Sequence, residues 1–408
     1  MRSRFVIGAA CLAVLMLSPS VHAQMAPEAV AALQAPVSVE RTQDVETIPL
    51  IPHMGKYAIR ASTNGVERSF VFDTGSPTMI SQALADELDL TIIGSNTGRD
   101  ANGQDFTTQI AVVDRLTIGG LTFSRVPVLI ADFAVADPDR CFFDGGVIGS
   151  NIFPGSAWHF DGARNILRVA REAGDIPGLE GRAAASTAAL HADGYPYAPV
   201  VDYALGSLKD RALFDTGSSE TIVLFDRLLQ DGQVRQAIVQ GSEKEGRGSH
   251  GVSAAGPGEI TDLLRFQLEG LTLGASLPRL PGTTRTAPPT LIGLGILDRY
   301  DVTLDYPAGR MLLHERASPA APAEFPGYAL MMREGSVKVV QLYEGSAAKS
   351  AGLRLGDEVV AIDGRSLAPQ DAPCASQRWL SEERPTYGAR TLTVLREGKP
   401  LELTVRRD

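Results

Sequence analysis

The sequence predicts a mainly β protein with two similar β-barrel lobes and a smaller α+β unit towards its C-terminal end. Three observations indicate this. A five-residue phrase, Phe-Asp-Thr-Gly-Ser, occurs at 72–76 and again at 214–218. Landmarks that follow the two phrases keep a nearly constant separation of 142 to 144 positions. A run of small residues at 317–323 then separates the repeated part from a stretch with a different pattern.

The first 23 residues have the pattern of a secretory signal peptide. Arg2 and Arg4 precede an apolar stretch that is too short to span a bilayer comfortably, and the small residues at 21–23 fit a cleavage point. We therefore expect cleavage after Ala23 and a periplasmic or secreted protein, with an uncleaved membrane anchor as the alternative. No later stretch is long and apolar enough to predict an integral membrane span.

Composition argues against several classes of partner. The 408 residues carry a formal net charge of −10, which becomes −12 when Arg2 and Arg4 leave with the signal peptide. An acidic balance of this size disfavours a nucleic-acid backbone or an anionic membrane surface as a partner. The histidines that remain have no metal-ligand spacing, so we predict no metal and no cofactor.

Cysteine is scarce in the mature chain. Only Cys141 and Cys374 remain after signal removal, and they fall in different predicted units. A disulfide framework is therefore not expected to hold the fold together. The sequence favours two unpaired thiols, and a single long-range bridge is the alternative.

The first unit covers about 45–170. An alternating strand over 57–61 and a hairpin turn at Asn64-Gly65 lead into a second strand, which ends at Asp73. A helix is predicted over 81–90, and short strands complete the unit.

The second unit, about 194–315, repeats this order of elements. A strand precedes Asp215, and a short helix is predicted over 221–229. A longer, polar and glycine-rich segment follows at 241–258. Residues 171–191, which are rich in alanine and glycine, are predicted to connect the two units.

The spacing of the landmarks supports an internal duplication. Val147-Ile148-Gly149 and Leu291-Ile292-Gly293 lie 144 positions apart, as do Asp161 and Asp305 in the closing strands. Chance similarity would not keep this register over nearly 90 residues, so we interpret the two units as copies of one ancestral unit.

Asp73 and Asp215 are the candidate chemical groups. Two carboxyl groups about 3 Å apart share one proton, because both cannot ionise freely. The ionised member can then take a proton from water while the protonated member hydrogen-bonds a scissile carbonyl. After each aspartate, threonine can fix the two loops to each other, glycine permits their close approach, and serine can donate to the outer carboxylate oxygens. The supporting residues are therefore Thr74, Gly75, Ser76, Thr216, Gly217 and Ser218.

These motifs resemble the aspartic peptidase clan, and most closely its retropepsin-like branch. In that family an Asp-Thr-Gly at a strand end is backed by a later apolar pair plus glycine, here 147–149 and 291–293. The resemblance covers about 270 residues. It implies two fused retropepsin-like lobes, with Asp73 and Asp215 as the catalytic pair and one chain sufficient for the site. It also implies that two glycine-bearing segments, 94–105 and 241–258, are substrate-covering flaps. Neither carries the tyrosine of pepsin-like flaps, so individual flap residues stay unassigned.

The last unit, 325–408, follows a linker at 316–324 and is similar to a PDZ domain of the bacterial envelope-protease type. A short helix ends at Gly352, and an apolar strand lies between turns at 356–357 and 363–364. PDZ domains bind extended chain ends by adding a strand to a sheet edge. A fold that serves only as a rigid appendage is the alternative. The resemblance places the peptide-binding loop at Gly327, Tyr328, Ala329 and Leu330.

The sequence thus predicts a periplasmic or secreted aspartic endopeptidase whose PDZ domain recruits substrate or regulates cleavage. Its partners would be polypeptide substrates and the C-termini of proteins. The alternatives are a non-catalytic protein that recognises chain ends and a peptidase with a single regulatory target. Because serine hydroxyls that bond an ionised carboxylate lower its pKa, we expect activity on the acid side of neutral. Residues 24–44 could be either a removable pro-segment or a packed strand.

Overall fold

The structure is a computed structural model that describes residues 25–320, 325–367, 374–383 and 389–406. The predicted signal peptide and the end of the predicted linker lie outside the described residues. None of the helices in the described ranges has the length and apolar composition that crossing a membrane requires.

The first lobe is built almost entirely from strands. Its strands are β1 (Ser38–Arg41), β2 (Val45–Pro49), β3 (Ile51–His53), β4 (Lys56–Thr63), β5 (Val66–Phe72), β6 (Met79–Ser81), β7 (Gly94–Arg99), β8 (Asp105–Ile118), β9 (Leu121–Ala131), β10 (Gly146–Ile148), β11 (Ala157–Asp161) and β12 (Ile166–Ala170). Its helices are α1 (Pro27–Gln34) and α2 (Gln82–Glu87), with 3₁₀ turns at Ser150–Ile152 and Ala173–Asp175.

The segment that precedes the first lobe is packed against it. Ala29 and Leu33 on α1 lie in one apolar cluster with Ile110 and Leu129, which belong to β8 and β9. Strand β1 then pairs antiparallel with β9. For residues 24–44 the sequence allows a removable pro-segment or a packed strand. The described part of this segment contains a helix and a strand that pack against the first lobe.

The second lobe is also built mainly from strands. They are β13 (Ser186–His191), β14 (Val200–Leu205), β15 (Leu208–Asp215), β16 (Ile222–Phe225), β17 (Lys244–Ser249), β18 (Val252–Ser253), β19 (Gly256–Pro257), β20 (Ile260–Leu268), β21 (Leu271–Leu273), β22 (Ala275–Ser276), β23 (Leu280–Arg285), β24 (Thr290–Gly293), β25 (Tyr300–Asp305) and β26 (Arg310–Glu315). Helix α3 (Gly232–Ala237) and 3₁₀ turns at Asp226–Gln230 and Leu294–Asp298 complete it.

Two sequence predictions in this lobe are wrong. The helix predicted over 221–229 begins instead as β16, because its apolar residues are buried between β23 and β24. The predicted connector at 171–191 ends with β13, which pairs with β26. In both places tertiary pairing overrides the local pattern.

A six-stranded antiparallel sheet joins the lobes. Its order is β2, β12, β11, β25, β26, β13, with three strands from each half of the chain. Trp158 on β11 is fully buried against Phe72, Phe123 and Phe153, so the sheet forms one side of a core that both lobes share.

The centre of this sheet contains a buried histidine. His159 is 2% exposed, and its Nδ1 lies 2.9 Å from the Thr303 hydroxyl across the lobe boundary. Burial, and then the nearby Arg168, lower the pKa of His159 to about 4. Protonation of this ring therefore favours the unfolded chain.

We predict that the lobes lose stability in acid because of His159. Its contribution is fully present above its unfolded pKa of about 6.5 and is lost as the pH falls to about 4. Urea unfolding should show a decrease of about 3 kcal/mol from this residue between these limits. His159→Gln should flatten that part of the pH dependence, and His191→Gln, at a more exposed position, is the matched control. Parallel curves for His159→Gln and wild type would contradict the prediction.

The third unit is a small α+β fold with its own core. Its strands are β27 (Tyr328–Arg333), β28 (Ser336–Tyr343), β29 (Glu358–Ile362), β30 (Arg365–Ser366), β31 (Arg390–Arg396) and β32 (Lys399–Val405). Its helices are α4 (Ala347–Ser350) and α5 (Ala375–Arg378), with a π turn at Trp379–Glu383. A cluster separate from the lobes, which includes Val337, Val339, Leu392 and Val394, fills its interior.

A disulfide fastens the third unit to the first lobe. Cys141, in the loop before β10, is bonded to Cys374, next to α5, over a sequence separation of 233 residues. The expectation of two unpaired thiols is therefore wrong. Sequence spacing could not show the bond, because only the packing of the third unit brings these two residues together.

The third unit also extends a sheet of the second lobe. Strand β28 pairs antiparallel with β17, in the register Gly246 to Tyr343 and Gly248 to Gln341. The side-chain amide of Gln341 donates to the Ser249 carbonyl oxygen at 2.8 Å. The unit thus contacts both lobes, through a covalent bond on one side and a strand ladder on the other.

Candidate active site

Each aspartate lies where a buried strand gives way to a tight loop. Strand β5 is covered on both faces and is apolar over Phe70 to Phe72, as a central strand must be. Asp73 follows it, and its backbone N–H donates to the Ile148 carbonyl at 3.0 Å. Asp215 ends β15 in the same way, paired in parallel with Gly293 on β24. The two apolar-glycine motifs therefore lie directly beside the two aspartates.

The threonines connect the two loops in a reciprocal network. The Thr74 hydroxyl donates to the Phe214 carbonyl at 2.6 Å, and the Thr216 hydroxyl donates to the Phe72 carbonyl at 2.8 Å. Each hydroxyl also accepts the other threonine's backbone N–H at 3.0 Å. Both threonines are fully buried. The loops are thus held in a single relative position from both sides.

The glycines after the threonines make room for the carboxylates. A Cβ placed on Gly217 would lie 2.5 Å from Asp73 Oδ2, and one on Gly75 would lie 2.7 Å from Asp215 Oδ1. Each glycine N–H also donates to the carboxylate of its own loop, at 2.9 Å for Asp73 and 2.8 Å for Asp215. Each carboxylate therefore lies over the glycine of the opposite loop.

Gly149 and Gly293 pack closely against the backbone of the same two loops. A Cβ on Gly149 would lie 2.1 Å from the Ser76 carbonyl oxygen, and one on Gly293 would lie 2.3 Å from that of Glu220. Only glycine permits this approach of backbone to backbone. The motifs that follow each aspartate are therefore part of the scaffold of the site.

The two carboxyl groups act on each other. Burial, followed by the charge of Asp215 and a hydrogen bond to it, raises the pKa of Asp73 well above its usual range. The Gly75 N–H and the Lys56 ammonium act in the opposite direction. The folded protein therefore opposes ionisation of both carboxyl groups at once, so the pair can hold one shared proton.

The serines do not have the predicted role. The single hydroxyl proton of Ser76 is donated to the Pro77 carbonyl at 2.9 Å, so it is not available to Asp73. Among the described residues, the Ser218 hydroxyl makes no hydrogen bond to Asp215. The hydroxyl of Ser76 therefore turns towards its own loop and does not donate the expected hydrogen bond to the Asp73 carboxylate.

Both glycine-bearing segments form hairpins whose tips meet. The first is β7 with β8, and the second is β17 with β20. Asp100, at the first tip, accepts hydrogen bonds from the Ser253 hydroxyl and, at 3.2 Å, from the Ala255 N–H of the second tip. Asn102 donates to the Ser253 hydroxyl at 2.9 Å.

Three charged residues near the site were not predicted from the sequence. Lys56, at the β3–β4 turn, donates to the Ser219 hydroxyl on the Asp215 loop at 2.7 Å. Arg285, at the end of β23, donates to the Ala101 carbonyl at the first flap tip at 2.6 Å. Arg265 on β20 makes a two-pronged ion pair with Glu220 at 2.7 and 2.8 Å. No local motif marks these residues, because strands distant in sequence bring them to the site.

The predicted peptide-binding loop of the third unit lies at the start of β27. Gly327 is buried, and its carbonyl accepts the Tyr343 N–H at 2.9 Å. Among the described strands, β27 pairs only with β28. The half-buried Leu330 and Met332 contact the core of the unit.

The described residues contain no cluster that could hold a metal ion.

Comparison with known protein families gives a match within the first lobe. Residues 59–152, which include Asp73 and the motif at 147–149, match the family model described as aspartyl protease. No curated protein matches the chain. Among solved structures, the aspartic proteinase from Irpex lacteus is 14% identical, with a TM-score of 0.38 over 68% of this chain and 99% of that chain. The family match and the mainly β fold support an aspartic-peptidase class of protein that hydrolyses peptide bonds.

Proposed function

We propose that the protein is an aspartic endopeptidase that uses Asp73 and Asp215 to cleave polypeptides. The observation that carries this proposal is the pair of facing carboxylates, held by the reciprocal contacts of Thr74 and Thr216. One chain supplies both halves of the pair, which is consistent with a duplicated ancestral unit. The family match over 59–152 supports the same conclusion.

The raised pKa of Asp73 beside Asp215 is consistent with a pair that holds one shared proton. The ionised member of the pair removes a proton from a water that attacks the scissile carbonyl carbon. The protonated member hydrogen-bonds the carbonyl oxygen and stabilises the tetrahedral intermediate. The proton taken from the water then passes from the pair to the amide nitrogen, which allows the C–N bond to break, and no covalent enzyme intermediate forms. Activity is expected to decline once the pH is high enough to remove the shared proton, and a rate that only rises with pH would contradict this mechanism.

Cleavage of an unfolded protein between about pH 3 and pH 7 tests the proposal. We expect internal cuts, inhibition by a peptide whose scissile amide is replaced by a hydroxyethylene group, and one oxygen-18 in each new carboxyl group when the solvent is labelled. A wild-type protein that binds such peptides but cuts nothing would support the non-catalytic alternative. A proteome-wide cleavage profile separates a general peptidase from one with a single target.

We further propose that the third unit is a PDZ domain that regulates the second flap. Strand β28 pairs with β17, and Arg333 donates to the Gly258 carbonyl near the flap tip at 3.3 Å. The guanidinium of Arg265 lies 4.3 Å from the ring centroid of Phe325, which connects the unit to the Asp215 loop through Glu220. An extended chain end that adds to β27 would join the sheet that holds the flap.

Separating β28 from β17 tests this regulation. A Cβ on Gly248 would lie 2.3 Å from the Val340 carbonyl oxygen, so Gly248→Val should force the two strands apart. We expect faster hydrogen exchange over 244–249 and a rise of about fivefold in kcat/KM, because the flap opens more easily. Gly232→Ala, where a Cβ meets nothing within 4 Å, is the control. Faster exchange without any rise in kcat/KM would show that the unit does not restrain the flap.

An oxidising compartment is our proposal for the location. It rests on the signal-like pattern of residues 1–23 and is supported by the Cys141–Cys374 bond, since such bonds persist mainly outside the reducing cytosol. Recovery of the mature protein from a periplasmic or culture fraction, with its N-terminus at Gln24, tests this.

A further inference from the structure

Two basic side chains, one from each lobe, lie beside the aspartate pair without a carboxylate partner. Lys56 comes from the first lobe and Arg285 from the second, and neither forms an ion pair with any described carboxylate. Arg285 is only 9% exposed. A buried guanidinium stays charged at all working pH values, and burying it without a partner is unfavourable.

Two acidic residues near these cations direct their hydrogen bonds elsewhere. Asp100 accepts four hydrogen bonds, from Asn102 and Gln104 of its own turn and from Ser253 and Ala255 of the opposite flap. Glu220 is held by both terminal nitrogens of Arg265. Their charges act on the cations only from a distance, since neither forms a direct ion pair with Lys56 or Arg285.

Arg285 connects the first hairpin tip to the electrostatic surroundings of Asp215. Its guanidinium donates to the Ala101 carbonyl at that tip, and the charge of Asp215 acts on it. Burial lowers the pKa of Arg285, whereas Asp215 and Asp100 act to raise it. Arg285 also opposes protonation of the half-buried His250.

Lys56 occupies a comparable position on the other lobe. Its ammonium group uses one donor on Ser219, a neutral partner, and so retains further donors. Burial lowers the pKa of Lys56, while Asp215, Asp73 and Glu220 act to raise it. The site therefore carries local positive charge in a protein whose formal net charge is −10.

We propose that Arg285 and Lys56 select polypeptides with aspartate or glutamate side chains close to the scissile bond. This inference rests on the proposed function of the same site. A substrate carboxylate would give the buried guanidinium a direct ion pair, which no described side chain forms with it, and such charge-assisted bonds are strong when desolvated. Without these cations the ionised member of the pair would repel an acidic substrate.

Equilibrium binding tests the proposal without requiring turnover. The probes are hydroxyethylene peptides in which glutamate or glutamine is placed, one position at a time, on either side of the central unit. Calorimetry of the full mature chain near pH 6 should show glutamate favoured by about tenfold at one or more positions. Arg285→Gln or Lys56→Gln should remove the preference at the position that each serves, and Arg285→Lys should retain part of it. Lys209→Gln, at an exposed position on β15, is the matched control.

Several results would overturn the proposal. These are equal affinities for every glutamate and glutamine pair, no measurable binding of any peptide, or variants that weaken both members of a pair equally. A shift of the pH profile with an unchanged preference would show that the cations serve only the aspartates. If peptides bind with the expected preference but are never cut, the peptidase proposal fails and the selectivity stands.

Discussion

Replacement of either aspartate by asparagine is expected to lower peptide cleavage by about 10³-fold. Either variant leaves a single carboxyl group, which cannot both accept the proton of the water and hydrogen-bond the carbonyl oxygen as an acid. The amide that replaces the other carboxyl group cannot take over either role, because its N–H is a far weaker acid and its oxygen a far weaker base. In both variants the Thr74 and Thr216 contacts persist, since they use hydroxyls and backbone groups alone.

The same variants should fold at least as well as wild type. Burial and the neighbouring carboxylate raise the pKa of Asp73, so ionisation of the pair is opposed in the folded protein. A neutral amide relieves this cost. Initial rates on one peptide, together with thermal unfolding, check both statements, and Asp202→Asn, at an exposed position on β14, is the control. Retention of more than about a tenth of the wild-type rate by either variant would disprove a two-carboxylate mechanism.

Gly217→Ala is expected to abolish most activity while leaving both aspartates in place. Gly217 has a backbone conformation that other residues can adopt, but an added Cβ would lie 2.5 Å from Asp73 Oδ2. The loops are locked by the threonines, so the Asp73 carboxylate must move instead. Displacement of a reacting group by about 1 Å costs about 10²-fold in rate. We therefore expect kcat to fall by about 10²-fold.

The control for this prediction is Gly232→Ala, where the added methyl group meets nothing within 4 Å. The reciprocal variant Gly75→Ala should have a similar effect, because its Cβ would lie 2.7 Å from Asp215 Oδ1. Affinity for a hydroxyethylene peptide should fall together with kcat. Full activity in Gly217→Ala would mean that the carboxylates do not face each other as the structure shows.

Much of the site could be anticipated from short stretches of sequence. A strand that ends in Asp-Thr-Gly imposes its local geometry through the glycine and the strand itself, and the constant offset between the copies indicated that two such loops meet. The glycines and the polarity of segments 94–105 and 241–258 indicate turns between strands, and both segments lie in hairpins. These features depend mainly on neighbours in the chain.

The failures share a different cause. The sequence pattern predicts a helix over 221–229, yet pairing with β23 and β24 makes its first part, Ile222–Phe225, a buried strand. Ser76 was expected to serve Asp73, but its hydroxyl rotates to the Pro77 carbonyl. The Cys141–Cys374 bond spans 233 residues and depends on where the third unit docks. Neither the secondary-structure propensity of a segment nor the spacing of two residues indicates which distant residue will contact them in the fold.

The repeated phrase by itself was enough to predict the aspartate pair, because the residues that shape each loop are adjacent in the chain. The charges around that pair could be known only from the folded molecule. Lys56 and Arg285 lie 229 positions apart, and pairing between distant strands brings both to the pair. The contact between β17 and β28 is of the same kind. Local order thus specifies the two aspartate loops, whereas long-range packing specifies the charges and contacts that surround them.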